Sequence, residues 1–362
     1  MTRHRLIGAE VSLYTGKVRA YLRYKDIPFD EVAATREVYR DVIVPRTGVR
    51  FIPVLLSDDD VAVQDSTAII DFLEARYPEA PVYPESPVAR LVALLLEGYA
   101  DEWLVIPAMH YRWSVPENRA FAIEEFGRLS VPEASPDEQR AIGEKLAGPF
   151  AGALPVLGIT EQTIPAVEAS YLALLTDLDA HFAAHPFLLG TRPSIADFAL
   201  YGPLYAHLYR DPASGRLMRE RASGVAAWVE RMTSPAPRTG AFLADDALPA
   251  TLEPLLSRMF AEQGPVLAST LARLAEVARS GHKGPLPRSL GKHAFTIGDA
   301  TGQRSISPFN VWRFLRPHAH YQALSGAARA QADALLTRTG GLSLLQTRVT
   351  PLRREHNQLL LG

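Results

Sequence analysis

Phe51-Ile52-Pro53-Val54-Leu55-Leu56-Ser57-Asp58-Asp59-Asp60-Val61-Ala62-Val63-Gln64-Asp65-Ser66-Thr67-Ala68-Ile69-Ile70 is the stretch on which the fold turns. A proline opens a short apolar strand, three aspartates make a turn, Val61-Ala62-Val63 returns as a second strand, and Ser66 starts a helix running to Ala75. In that helix Ala68, Ile69, Phe72 and Leu73 recur at helical spacing, which makes a face able to cover a sheet. This half of the region therefore reads as strand, strand, helix.

Upstream, Arg5 to Gly8 reads as a strand and Gly16 to Lys25 as a helix whose inner surface carries Val18, Ala20, Tyr21, Leu22 and Tyr24. Ile27-Pro28 ends that helix, and Phe29 to Ala33 supplies the next strand. A second helix is expected from Arg36 to Val42, broken by Pro45 and Gly48. The order βαβ followed by ββα describes a thioredoxin-like α/β domain over residues 1–80.

A proline-rich linker, Tyr77 to Pro87, marks the clearest boundary. From Val88 to about Arg231 the periodicity is helical, carried first by Leu91, Leu94, Leu95, Gly98 and Trp103 and later by Tyr171, Leu174, Leu175, Leu178 and Phe182. The second expected domain is all-α, residues 88–250. Residues 251–362 form an α+β extension, with a helix from Val266 to Ala278, a hairpin of His293 to Ile297 with Arg304 to Ser307, and a short helix from Asn310 to Phe314. Its large apolar residues, among them Phe260, Phe295 and Trp312, need a place to bury.

Composition narrows the chemistry. Lys plus Arg number 38 against 40 Asp plus Glu in 362 residues, so no global field recruits nucleic acid. The absence of cysteine excludes cysteine nucleophiles, Cys-x-x-Cys redox centres and cysteine zinc sites. The apolar run at Leu91–Leu96 falls far short of the roughly 20 residues that cross a bilayer, and Glu10 and Lys17 interrupt any secretory core, so no membrane association and a cytoplasmic location are expected. No Gly-x-Ser-x-Gly, Gly-x-Gly-x-x-Gly or P-loop spacing occurs. His318 and His320 have metal-like spacing without a nearby third ligand, which favours surface histidines and no metal.

Three local features remain. Ser194 and Asp197 have the spacing of a box-like helix cap. A cis Ile52-Pro53 bond would turn the Ile52 backbone N–H and C=O outward toward an extended peptide-like ligand. Asp65 and Ser66 stand at a helix start, where amides and the helix dipole attract a carboxylate while Asp65 could hold an ammonium group. By themselves these residues more simply describe an edge-strand proline and a routine cap.

Taken together, Ser12-Leu-Tyr-Thr-Gly-Lys17-Val-Arg, Ile52-Pro53-Val-Leu, Gln64-Asp65-Ser66-Thr-Ala-Ile-Ile and the Ser194 to Asp197 box, in this order and spacing, resemble the cytosolic glutathione transferase family over about residues 5–231. The resemblance implies glutathione as cosubstrate, a small hydrophobic electrophile and a homodimer. It implies that Ile52 pairs through its backbone with the cysteinyl part of glutathione beside cis Pro53, and that Gln64, Asp65 and Ser66 hold the γ-glutamyl end. Asp65 departs from the Glu or Gln usual there. Arg50 is a looser candidate for the glycyl carboxylate.

Ser12 falls where serine-type members carry their hydroxyl, and Gly8 where tyrosine-type members carry their tyrosine. Ser12 is thus the catalytic candidate, with Thr15 the substitute donor, although Ser12 also fits a plain helix cap. Tyr14, His110 and Trp113 are the expected cosubstrate-pocket residues, with Tyr111 and Arg112 on the same helix. The expected activity is conjugation of the glutathione thiolate to the electrophile. The alternative is a catalytically weak relative that serves as a ligand-binding or protein-docking module.

Overall fold

In the computed structural model, which describes residues 3–355 and 357–362, the alternation of Leu6 and Ile7 decides the first layer. Strand β1 (His4–Gly8) pairs parallel with β2 (Phe29–Ala33) and antiparallel with β3 (Val54–Leu56), which pairs antiparallel with β4 (Ala62–Gln64), giving the order β2-β1-β3-β4. Ile7 stands opposite Val54 and Leu6 opposite Leu55. Successive side chains point to opposite faces, so Ile7, Val54 and Leu56 cluster with Ile43 on one side, while Leu6 and Leu55 are buried on the other. Helices α1 (Leu13–Tyr24) and, later in the chain, α4 (Ser66–Arg76) lie against this sheet.

The helix expected after β2 takes another form. It is a chain of short turns, α2 (Arg36–Val38), a π-turn at Tyr39–Ile43 and α3 (Val44–Thr47), ending at Gly48 with φ 73. Pro45 does not break it, because it sits in the first turn of α3, where no amide donor is needed. Helix α1 also begins earlier than its apolar pattern, at Leu13, because the Ser12 side chain accepts from the Thr15 amide and caps it.

Further helical segments follow: α5 (Pro87–Glu102), α6 (Val105–Ser114), α7 (Pro116–Ser130), α8 (Pro136–Gly152), a 3₁₀ turn at Leu154–Leu157, α9 (Ile164–Ala184), α10 (Ile195–Ala206), α11 (Pro212–Arg221), α12 (Ser223–Thr233) and a 3₁₀ turn at Ala250–Leu252. The extension contains α13 (Glu253–Arg279), the hairpin β5 (Lys292–Ile297) and β6 (Ala300–Ser305), α14 (Pro308–Ala323), α15 (Gly326–Thr339), α16 (Leu342–Gln346) and the hairpin β7 (Leu352–Glu355) and β8 (Gln358–Leu361). Helix α14 is therefore far longer than the Asn310–Phe314 turn read from sequence, and α15, α16 and the last hairpin were not anticipated. The architecture is a thioredoxin-like domain with a central sheet, a helical domain, and extra strands and helices after residue 290.

Packing divides the chain into two compact units, Met1–Val82 with Pro107–Ala153 and Asp197–Gly240, and Tyr83–Ile106 with Leu154–Ala196 and Ala241–Gly362. Within the second, α14 lies along α5 and α13 touches α9. Phe295 fills the space beside Gly158, whose φ is 85 and where an added Cβ would stand 2.2 Å from the ring. His318, expected at the surface, is buried because its ring Nε2 reaches the Thr347 carbonyl at 2.9 Å. Among the described residues no three His, Asp or Glu side chains gather as a metal site, and no helix is long and apolar enough to cross a membrane.

Candidate glutathione-binding site

All the singled-out site residues lie in the first unit. Ser12 ends the loop that leaves β1, with φ −89 and ψ 121, and its Oγ accepts from the Thr15 amide at 3.3 Å. With that lone pair engaged, the hydroxyl proton remains free to donate outward. Thr15 itself is fully buried, and its Oγ1 accepts from the Ala9 amide at 3.4 Å. A Cβ at Gly8 would lie 2.3 Å from the Thr15 side chain, so no larger residue fits at the alternative tyrosine position. Ser12 and Tyr14 are half-buried.

The Ile52–Pro53 bond is cis. Ile52 rests its side chain on the Ile7, Ile43, Val54, Leu56 cluster, and among the described residues no hydrogen bond uses its backbone. Two strand positions later the chain is in the sheet. Gln64 ends β4, and Asp65 follows with φ 98, a backbone region that costs a non-glycine residue energy. Its Oδ1 accepts from the Thr67 and Ala68 amides at 3.0 and 3.1 Å and so caps α4.

Next to it, the Ser66 hydroxyl is 1% exposed and has no hydrogen-bond partner among the described residues. Buried polar atoms are normally paired, so a donor left open at a helix N-terminus is an invitation to an acceptor. Lys17, also buried, donates from Nζ to Thr67 Oγ1 at 3.2 Å, bringing a cation to the same helix start.

Sequence reasoning missed the network behind this loop. Arg112 on α6 is 1% exposed. It donates to both Asp211 oxygens at 2.8 and 2.7 Å, to the Val11 carbonyl at 2.8 Å and to the Ala206 carbonyl. His207 Nε2 lies 3.0 Å from Arg112 Nη1. Burial, with Arg112 and Arg210 nearby, holds the His207 pKa well below its ordinary value, so the ring is neutral and Nε2 accepts. For Asp211 burial raises the carboxyl pKa, while the Arg112 hydrogen bonds and charge oppose that rise. The result ties α6 to the residue immediately before Ser12. Arg19, equally buried, bridges Glu31 (Nε to Oε2, 2.7 Å) and Glu10 (2.9 Å) from the inner face of α1. The buried Lys17 and Arg19 on α1 stand among the apolar residues of its inner face.

Arg50 is exposed and, among the described residues, forms no ion pair. His110 and Trp113 are 2% and 3% exposed. Trp113 stacks on Phe150 at 6.0 Å and meets Phe126 edge-on at 5.6 Å, so the indole is held within an aromatic cluster of α6, α7 and α8.

Two family models match the chain: the glutathione S-transferase N-terminal domain at residues 6–81 and the glutathione S-transferase C-terminal domain at residues 161–231. Residues 6–81 and 161–231 are thus the two glutathione S-transferase domains of the chain. No curated protein matches it in sequence. Solved structures similar to it include a glutathione S-transferase from Rhodospirillum rubrum, at 18% identity over 68% of this chain and 96% of that one, TM-score 0.41. A glutathione S-transferase from Methylobacterium radiotolerans in complex with glutathione sulfonate is 21% identical over 68% and 100% of the two chains, TM-score 0.40. The beta-etherase LigF from Sphingobium sp. strain SYK-6 is 19% identical over 66% and 97%, TM-score 0.44. The first family model spans every glutathione-site residue named above from Ser12 to Ser66, and His110, Trp113 and the extension lie outside both models.

Proposed function

We propose that this chain binds glutathione along β3 and the start of α4 and transfers its thiolate to a small hydrophobic electrophile. The open Ser66 hydroxyl carries this reading, because the γ-glutamyl carboxylate is the acceptor it lacks. The unused Ile52 backbone supplies a donor and an acceptor for the cysteinyl portion, Asp65 faces the γ-glutamyl ammonium, and Arg50 faces the glycyl carboxylate. Gln64 completes the γ-glutamyl contacts.

The Ser12 hydroxyl donates a hydrogen bond to the sulfur, and the thiol proton leaves to solvent water. A free thiol of this kind has a pKa near 8.5, and each unit by which the site lowers it corresponds to about 1.4 kcal/mol of preference for the thiolate. The thiolate then forms the C–S bond to the electrophile, whose leaving group departs with the electron pair or whose carbanion takes a proton from water. Tyr14 faces the electrophile side in this proposal, with buried His110 and Trp113 packed behind it, and Arg112 acts as a positioning residue through Val11. A homodimer in the cytoplasm is part of the same proposal.

Calorimetry tests the binding half. Wild type takes up glutathione, and Ser66→Ala weakens it about tenfold, the loss of a hydrogen bond to a charged group. A wild-type protein with no glutathione binding would leave the family fold to a docking or ligand-carrying role.

A further inference from the structure

The strongest feature that the glutathione reading does not absorb is a cleft of about 520 Å³ in the second unit, between the first turns of α5 and the last turns of α14. Its volume falls in the range of small-molecule sites, roughly 300–1,000 Å³. Arg90, Arg316 and His320 supply its basic wall, Leu94 and Leu324 its apolar part, and Glu85 the one carboxylate on the lining.

The basic groups are arranged, not scattered. The Arg90 and Arg316 guanidiniums both lie over the ring of Tyr83, at 5.4 and 5.5 Å from its centroid. Arg316 is anchored further by the Tyr83 hydroxyl at 3.0 Å and by buried Glu97 at 3.1 Å, a carboxylate that does not line the cleft. Arg90 makes no ion pair among the described residues. His320 is oriented by its Nε2–H, which donates to the Pro87 carbonyl at 2.8 Å, and its Nδ1 has no partner among the described residues. Two guanidiniums sharing one ring repel each other, and only one has a carboxylate of its own. An anion in the cleft that both line meets their positive charge and accepts bidentate hydrogen bonds from Arg90. The leucines beside them favour a ligand whose remainder is hydrocarbon.

We propose that this cleft is a second ligand site, for an amphipathic monocarboxylate whose head pairs with Arg90 and Arg316 and whose chain lies on Leu94 and Leu324. It is independent of the proposed glutathione chemistry.

The test is calorimetry on the full chain with decanoate, decanol and inorganic phosphate as probes, with and without saturating glutathione. Decanoate is expected to bind one site, and glutathione to leave its affinity unchanged. Decanol and phosphate, each lacking half of the ligand, should bind at least about tenfold more weakly. Arg90→Gln, at a half-exposed position, should weaken decanoate about tenfold or more without lowering the melting temperature. Leu324→Asp, which sets a negative charge on the wall, should abolish binding. Absence of decanoate binding, equal binding by Arg90→Gln or Leu324→Asp, equal binding of decanol or phosphate, or displacement by glutathione would each overturn the site.

Discussion

Arg112 in the first unit and Arg304 in the second are both almost wholly buried, yet their surroundings treat the charge in opposite ways. Arg112 meets a carboxylate at two points and two backbone carbonyls besides. Arg304, 3% exposed on β6, leaves Nε and Nη1 without partners among the described residues and lies instead over the rings of Trp103 and Phe295, at 5.2 and 5.8 Å. Burial lowers its pKa to about 10, with Glu102 opposing, and the group stays protonated at neutral pH. A hydrogen-bonded ion pair fixes direction and distance, whereas an aromatic face holds a cation without specifying its orientation. The loop before Ser12 is held by the first device, and β6 of the extension by the second.

Substitution by methionine sharpens this contrast. Arg112→Met leaves Asp211 buried and unpaired and is expected to cost about 3–5 kcal/mol in denaturant unfolding. Arg304→Met removes a desolvated charge lying over two rings while keeping most of the packing, and should stay within about 1 kcal/mol of wild type. Equal losses at the two positions would erase the distinction.

A smaller effect concerns pH. His181 is buried in the second unit, its Nδ1 2.8 Å from the Thr251 hydroxyl and its Nε2 3.2 Å from the Phe187 carbonyl, a pairing that suits the neutral ring. Burial lowers its pKa to about 4 from an ordinary 6.5. The unfolded chain therefore binds the proton first as pH falls, so stability present above pH 6.5 is lost between 6.5 and 4, by up to about 1.4 kcal/mol per pH unit. His181→Gln, which keeps a donor and an acceptor, should flatten that part of the stability curve. An unchanged slope would show that other groups govern it.

Legibility follows the same division. The sheet, α1 and α4 were readable because alternation and helical spacing are local, and the Ile52-Pro53 and Asp65-Ser66 pairs carry their own backbone consequences. The π-turn at Tyr39–Ile43 was not, since Pro45 reads as a breaker unless it is known to sit in a first turn. The Arg112 network was invisible because Asp211 lies 99 residues away in the chain. In the extension, β7 and β8 are four residues each, too short for a periodic signal, and the burial of His318 depends on a carbonyl 29 residues downstream.

In the proposed reaction Ser12, held by the Thr15 amide and by the loop that Arg112 ties down, turns bound glutathione into a thiolate. Ultraviolet absorbance of the thiolate in the bound complex, titrated against pH in wild type and Ser12→Ala, tests it most directly. In the variant the apparent thiol pKa should rise by about one unit or more and turnover should fall at least about tenfold, with glutathione affinity within about twofold of wild type. The same thiol pKa and turnover in both proteins would contradict the claim and leave Ser12 as a helix cap.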